Sequence, residues 1–244
     1  MPPARWTVLL REALDQSMKE SPDSISYAIA SNAFPSTPSV RFVVHRGFVN
    51  ERRPGEDESW STNAITDDQG TALINDNMLV TTDVRGPKAS QIAASSPISL
   101  AWWLLPTKTQ FRITADAFIF PPPSHPLHSK FPADRLAPSP NFDWEAERLR
   151  IWRKMSPDLR ASFVRPIPGT KLEEDPEKWP TQLPTDLEAK TDEEKRLVKR
   201  ALENFALIVL EPHSVDLCEL GIVPNKRTSF TLSNGDWAEE SLAP

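Results

Sequence analysis

The sequence predicts an α+β protein built on a mainly antiparallel sheet or barrel with flanking helices. Three observations lead there. Strand-like runs come first, helical runs follow and strand-like runs return, with little of the β-α alternation that a parallel sheet needs. Proline is abundant, 25 of 244 residues, while glycine is scarce at 7, a balance that disfavours a bundle of long helices. The run ISLAWWLL at 98–105 is β-branched and aromatic, as a core strand is.

Each element has its own signal. Residues 5–20 set Trp6, Leu9, Leu10, Ala13, Leu14 and Met18 on one helical face. Strand patterns follow at 25–30, 40–45, 78–82, 98–105 and 112–120, separated by Pro, Gly, Asn and Asp. GPKASQIAASSP, between the third and fourth, reads as a short helix stopped at Pro97. FDWEAERLRIWRKM at 142–155 has helical spacing, with a further turn of helix over 157–163. Thr191 and Glu194 form a capping-box pattern that opens the helix TDEEKRLVKRALEN. FALIVLEP, SVDLCEL and RTSFTLS are three more strands, before a terminal segment with Trp237. The whole of 1–244 reads as one domain carrying two solvated surface insertions, near 50–77 and near 165–190, the latter with five prolines.

Composition narrows the function. A net charge of −6 argues against a generally basic nucleic-acid surface. No window approaches the roughly 18 apolar residues that span a bilayer, and MPPARWTVLLREALDQ carries charge inside its apolar stretch, unlike a signal peptide or anchor. The single cysteine, Cys218, excludes a disulfide framework and reads as an inert buried thiol; a cytoplasmic protein is expected. His125 and His128 lie in PPPSHPLHSKFP, where proline blocks the helical metal pair, so no metal is expected. There is no Gly-x-Ser-x-Gly elbow and no glycine-rich phosphate or dinucleotide loop.

What remains is a set of basic residues on β segments: Arg41 and Arg46 around FVVH, Arg85 and Lys88 in LVTTDVRGPKASQI, and Gln110 with Arg112 in QFRITADAF. Strand alternation puts Arg41, Val43 and His45 on one side and Phe42, Val44 and Arg46 on the other. These are either solvated surface cations or a phosphate site made of cations, the Thr81 and Thr82 hydroxyls, and the N–H groups opening the short helix.

The order PSVRFVVHRGF, LVTTDVRGPKASQI, SPISLAWWLLPTKTQFRITADAFIF resembles the three core motifs of the pyridoxamine 5'-phosphate oxidase-like FMN-binding split-barrel family over residues 38–120. The tail with Trp237 and Leu-Ala-Pro at 242–244 resembles the end of the oxidases proper, and MSPDLRASFVRPIPG is similar to a subgroup found in cyanobacteria and fungi. The resemblance implies an FMN-binding split β-barrel, and an FMN-dependent oxidoreductase acting on a small molecule. It implies that Arg41, Phe42, Val43 and Val44 line the flavin and that Arg46 reaches a phosphate. Thr81 and Thr82 would contact the flavin, and Arg85 and Lys88 would neutralise its phosphate. Gln110 would contact FMN from the partner subunit of a homodimer, and Arg227 matches a C-terminal FMN-binding Arg.

The substrate side departs from the family. The oxidases proper place an Arg-x-His pair against the substrate and a Trp against the flavin. Here the region reads DLCELGIVPNKRTSF, without a His and with Cys218 near the Trp position, while Arg148, Arg150 and Arg153 lie in a helix without the expected Tyr and Ser. No catalytic residue stands out. Pyridoxal 5'-phosphate synthesis and non-catalytic flavin binding or storage stay open as alternatives.

Overall fold

The computed structural model describes residues 4–33, 37–52, 64–173 and 175–244. Helix α1 (Arg5–Glu20) buries Trp6, Leu10 and Leu14, one face at four-residue spacing. The strands β1 (Ser26–Ala33), β2 (Thr37–Val44), β3 (Met78–Asp83), β4 (Pro97–Leu104) and β5 (Thr109–Phe120) follow, with α2 (Pro87–Ala94) between β3 and β4. Four helices come next, α3 (Ala133–Leu136), α4 (Trp144–Lys154), α5 (Pro157–Ser162) and α6 (Asp192–Asn204). The chain then returns through β6 (Phe205–Glu219), β7 (Lys226–Ser233) and β8 (Asp236–Leu242). Every pairing is antiparallel, in the order β2-β1-β4-β5-β6-β7-β8, with β3 on the far edge of β6. The fold is the expected α+β one.

The ladder curls but stays open between β2 and β3. Among the described residues they meet past the end of β2, by an isolated bridge from Phe48 to Met78 and by Arg46 N–H to Leu79 O and Leu79 N–H to Gly47 O, both 2.8 Å. Gly47 holds φ +105°, and a Cβ there would meet Glu51 Oε2 at 2.8 Å, so the turn requires glycine. Two cores share β3 and β6. Ala206, Ile208 and Leu210 face the core beneath α1, with Trp6, Tyr27 and Trp102, while Phe205, Leu207 and Val209 face Trp144, Trp152 and Phe163 under the helices. Burial on both faces explains why FALIVLE is an unbroken apolar run.

Four expectations change. FALIVLEP and SVDLCEL are one strand: Pro212 sits where β6 exchanges β3 for β7, and a bulge opposite Thr114 and Ala115 absorbs His213. The segment with Trp237 is strand β8, turned by Asn234 and Gly235 at φ 53° and 90°. The insertion near 50–77 is pinned at its base, since buried Asn50 holds Ile65 and Leu73 through three side-chain hydrogen bonds of 2.8–3.0 Å; residues 53–63 of it lie outside the described residues. The insertion near 165–190 buries Leu183 and Thr185, with Arg160 Nε donating to Leu183 O at 2.9 Å; its residue 174 is likewise outside. Among the described residues no helix is long and apolar enough to cross a membrane.

Candidate functional site

Alternation along β2 separates two environments. On the inner side, Val43 packs in the core opposite Tyr27. Arg41, two residues earlier, is held among the described residues by neutral partners, donating to Ser31 Oγ (2.6 Å), Ser39 Oγ (2.7 Å) and Gln91 Oε1 (2.6 Å). Ser31 also donates to Gln91 Oε1 at 2.8 Å, so the amide oxygen ties β1, β2 and α2 together. Burial lowers the Arg41 pKa. From the start of α2, Lys88 donates its Nζ to Thr81 O at 3.1 Å. Leu79 bonds the 46–47 segment, so Thr81, two residues on, presents its backbone to the same edge, the one turned to the split. Burial first, and then the charge of Arg41, push the Lys88 pKa down to about 8.

No carboxylate offsets this pair of cations among the described residues. Arg46 is a third such cation: burial lowers its pKa and its Nε is buried without a hydrogen-bond partner. Holding like charges together out of water is unfavourable unless an anion joins them. The α2 N-terminus, capped by Gly86 without a side-chain hydrogen bond and followed by Pro87, adds partial positive charge beside Lys88.

The other expected site residues are placed differently. Thr81 is half-buried; Thr82 is buried and donates its hydroxyl to Asp83 O at 3.1 Å. Arg85 grips Asp83 through Nε and Nη2, at 2.9 and 2.6 Å, and also donates to Phe163 O. It would have to leave that carboxylate to meet a phosphate. Phe42 is 77% exposed on the outer side of β2, and Val44 half-buried. The register runs one outer row from Phe42 through Ala28, Ala101, Arg112 and Asp216 to Ser229. The next row holds Trp103, Gln110, Cys218 and Arg227. Gln110 accepts from Arg112 Nε at 3.0 Å, and Arg227 grips Asp216 at 2.9 and 2.7 Å. The apolar half of this face, with Val40, Phe42 and Trp103, is open, whereas neighbouring Trp102 is fully buried and donates to Ser24 O at 2.6 Å.

The structure thus gathers Arg41, Thr81 and Lys88, and puts Gln110 and Arg227 on a separate face. Sequence reasoning missed Ser31, Ser39 and Gln91 as the residues that hold Arg41; of these only Gln91 lies in a stretch that the family resemblance covers through LVTTDVRGPKASQI. The helical arginines are spent on structure. Arg148 binds Glu145 and the carbonyls of Leu202 and Phe205, Arg150 binds buried Glu147, and Arg153 binds Asp186 at 2.6 Å. His125 Nδ1 accepts from Leu127 N–H and the His128 ring meets Pro121 O, both serving the turn.

Residues 3–121 match the family model for the FMN-binding domain of pyridoxamine 5'-phosphate oxidase. Among solved structures, a pyridoxamine 5'-phosphate oxidase-related, FMN-binding protein from Nostoc punctiforme superposes with a TM-score of 0.67 at 22% identity, over 99% of this chain and 98% of that one. PhzG from Burkholderia lata, solved with tetrahydrophenazine-1-carboxylic acid, gives 0.60 at 14% identity, over 100% and 94%. These two likenesses establish the fold. No curated protein matches the sequence. Residues 3–121 thus carry the pattern of the pyridoxamine 5'-phosphate oxidase-like FMN-binding family.

Proposed function

We propose that this protein binds FMN and is a cytoplasmic, homodimeric FMN-dependent oxidoreductase whose small-molecule substrate is not a pyridoxine phosphate. The observation that carries the flavin reading is the pair Arg41 and Lys88, neighbouring cations of which Lys88 is buried and Arg41 partly so, with hydrogen bonds to neutral groups and no carboxylate among the described residues. That arrangement is suited to the phosphate of a mononucleotide, which carries nearly two negative charges. The chain has no glycine-rich loop for a second nucleotide, which favours FMN over FAD.

Bound flavin supplies a hydride acceptor or donor at its N5. Arg41 and Lys88 bind the phosphate, with Arg46 as the next cation along the chain, just past the end of β2. Ser31, Ser39 and Gln91 keep Arg41 from turning away. Phe42 and Val44 offer an apolar wall with Val43 behind it, Thr81 and Thr82 mark the edge of β3, and Gln110 offers a polar contact to a ring held at the dimer interface. Arg85 and Arg227 join only by exchanging Asp83 and Asp216 for the ligand. No side chain has to move a proton in such chemistry; orientation over the ring suffices. Exposed Val40, Phe42, Trp103 and Leu105 support a two-fold partner on the outer face.

Mass spectrometry of the ligand released from purified protein tests the reading. FMN is expected; FAD, or no flavin after reconstitution, overturns it.

A further inference from the structure

The outer face of the sheet carries a charge cluster of which the flavin reading uses Gln110 and, on exchange of Asp216, Arg227, but not Arg112. Asp216 on β6 lies between Arg112 on β5 and Arg227 on β7. Arg227 satisfies the carboxylate from one side, with Nε and Nη2 at 2.9 and 2.7 Å from its two oxygens. Arg112 is therefore the surplus cation, 3.5 Å from Asp216 Oδ2. Its Nε donates to Gln110 Oε1 at 3.0 Å, and its Nη2 points to the thiol of Cys218 at 3.3 Å, a weak acceptor. Its Nη1 makes no hydrogen bond of ordinary length among the described residues. The side chain is 48% exposed, yet Gln110 and Cys218 fix the direction of its fork. One row away, Trp103 presents an indole that is 43% exposed in the single chain, on the face assigned above to the two-fold partner, so an acid held here would lie at the rim of that interface.

Two guanidiniums against one carboxylate leave a net charge of +1, beside an exposed aromatic surface. That balance suits a monoanion with a flat apolar body; a phosphate dianion would lack a countercharge. Resting on the FMN-oxidoreductase reading for its meaning, we infer that Arg112 binds the carboxylate of a monoanionic organic acid, the class of molecule this site presents to the flavin, with Gln110 and the Asp216–Arg227 pair as its positioning residues. The acid would lie along the face between Arg112 and Trp103, where neighbouring strands are about 4.8 Å apart.

The test is calorimetric titration of the protein as purified with sodium benzoate, and separately with inorganic phosphate, for wild type, R112Q and R112K. Flavin content and melting temperature are measured on each. Saturable benzoate binding is expected in wild type, weakened about tenfold or more in R112Q, the usual loss for a charge-assisted hydrogen bond. R112K should fall between, keeping the charge but losing the fork. Flavin content and melting temperature should stay unchanged in both variants. Equal benzoate affinity in wild type and R112Q, no benzoate binding in wild type, or phosphate bound as tightly as benzoate and equally lost in R112Q overturns the inference. Because heat is read and not turnover, absence of flavin would sink the cofactor reading separately, while the benzoate comparison would still decide the role of Arg112.

Discussion

Raising the pH should expel FMN through Lys88. Its ammonium is held at a pKa of about 8 against an ordinary 10.5, by burial and then by Arg41. At about 1.36 kcal/mol per pH unit, keeping it charged costs the ligand-free fold roughly 3 kcal/mol. A base whose folded pKa is depressed carries that cost in full below about pH 8, and sheds it as pH climbs from 8 towards 10.5, where the unfolded chain holds more protons. Ligand-free protein should therefore gain stability across that window. A phosphate beside Lys88 favours the charged form and draws the pKa back up, so binding above pH 8 takes up a proton. The dissociation constant should rise up to about tenfold per pH unit, to a ceiling of roughly 300-fold if the ordinary pKa is fully restored. Below about pH 6 the phosphate loses its second charge and affinity should fall again. Fluorescence titration of FMN between pH 5.5 and 9.5, on wild type and Lys88→Met, reads this directly. Lys88→Met should bind about 10- to 100-fold more weakly at pH 7 and lose the alkaline fall, while its ligand-free form is the more stable at neutral pH. An identical alkaline slope in both proteins would refute the reasoning.

Three further outcomes follow from the same geometry. Gln91→Ala removes the oxygen shared by Arg41 and Ser31 and should weaken FMN about tenfold with little loss of fold, as read by flavin fluorescence and melting temperature together. Trp103→Ser should loosen the dimer in sedimentation while leaving protomer stability within about 1 kcal/mol, whereas Trp102→Ala should cost about 3–5 kcal/mol in denaturant unfolding, because only Trp102 lies in the core. Turnover of pyridoxine phosphate should be absent or very slow, since the helical arginines are committed to Glu145, Glu147 and Asp186; pyridoxal phosphate formed at about one per second or faster would contradict it.

Local signals made much of this legible. The capping box at Thr191 and Glu194 closes as the spacing says, both halves formed, and the alternation of Arg41 and Val43 against Phe42 and Val44 is the alternation of burial that β2 shows. What stayed illegible is long-range. Nothing near Pro212 says that β6 changes partner there, which is what lets one strand run through a proline. The Asn-Gly at 234–235 directly follows the strand RTSFTLS and is a readable turn signal, but the polar stretch DWAEESL after it gives no sign of the strand β8 that pairs back. The cations divide on the same line. Arg85 meets an aspartate two residues away and Arg227 meets Asp216 only through the β6–β7 register, while Lys88 meets a carbonyl. Equal as letters in a basic set, they differ by the partners the sheet brings.

Stability and binding are fastened to the same register of β2. Val43 belongs to the core opposite Tyr27, and Arg41 belongs to the cation pair because it stands two residues earlier on the same side. A slip of one residue against β1 would turn Val43 outward, bury Phe42 in a space shaped for valine, and carry Arg41 away from Ser31 and Gln91. The buried apolar partner therefore sets the position of the charge, and the neutral hydrogen bonds to Arg41 have only to orient it. Outer positions 42 and 44 are free of that coupling. Their side chains face whatever the sheet binds, a ring or a second copy of the chain, so substitutions there should change what is bound before they change whether the protein folds.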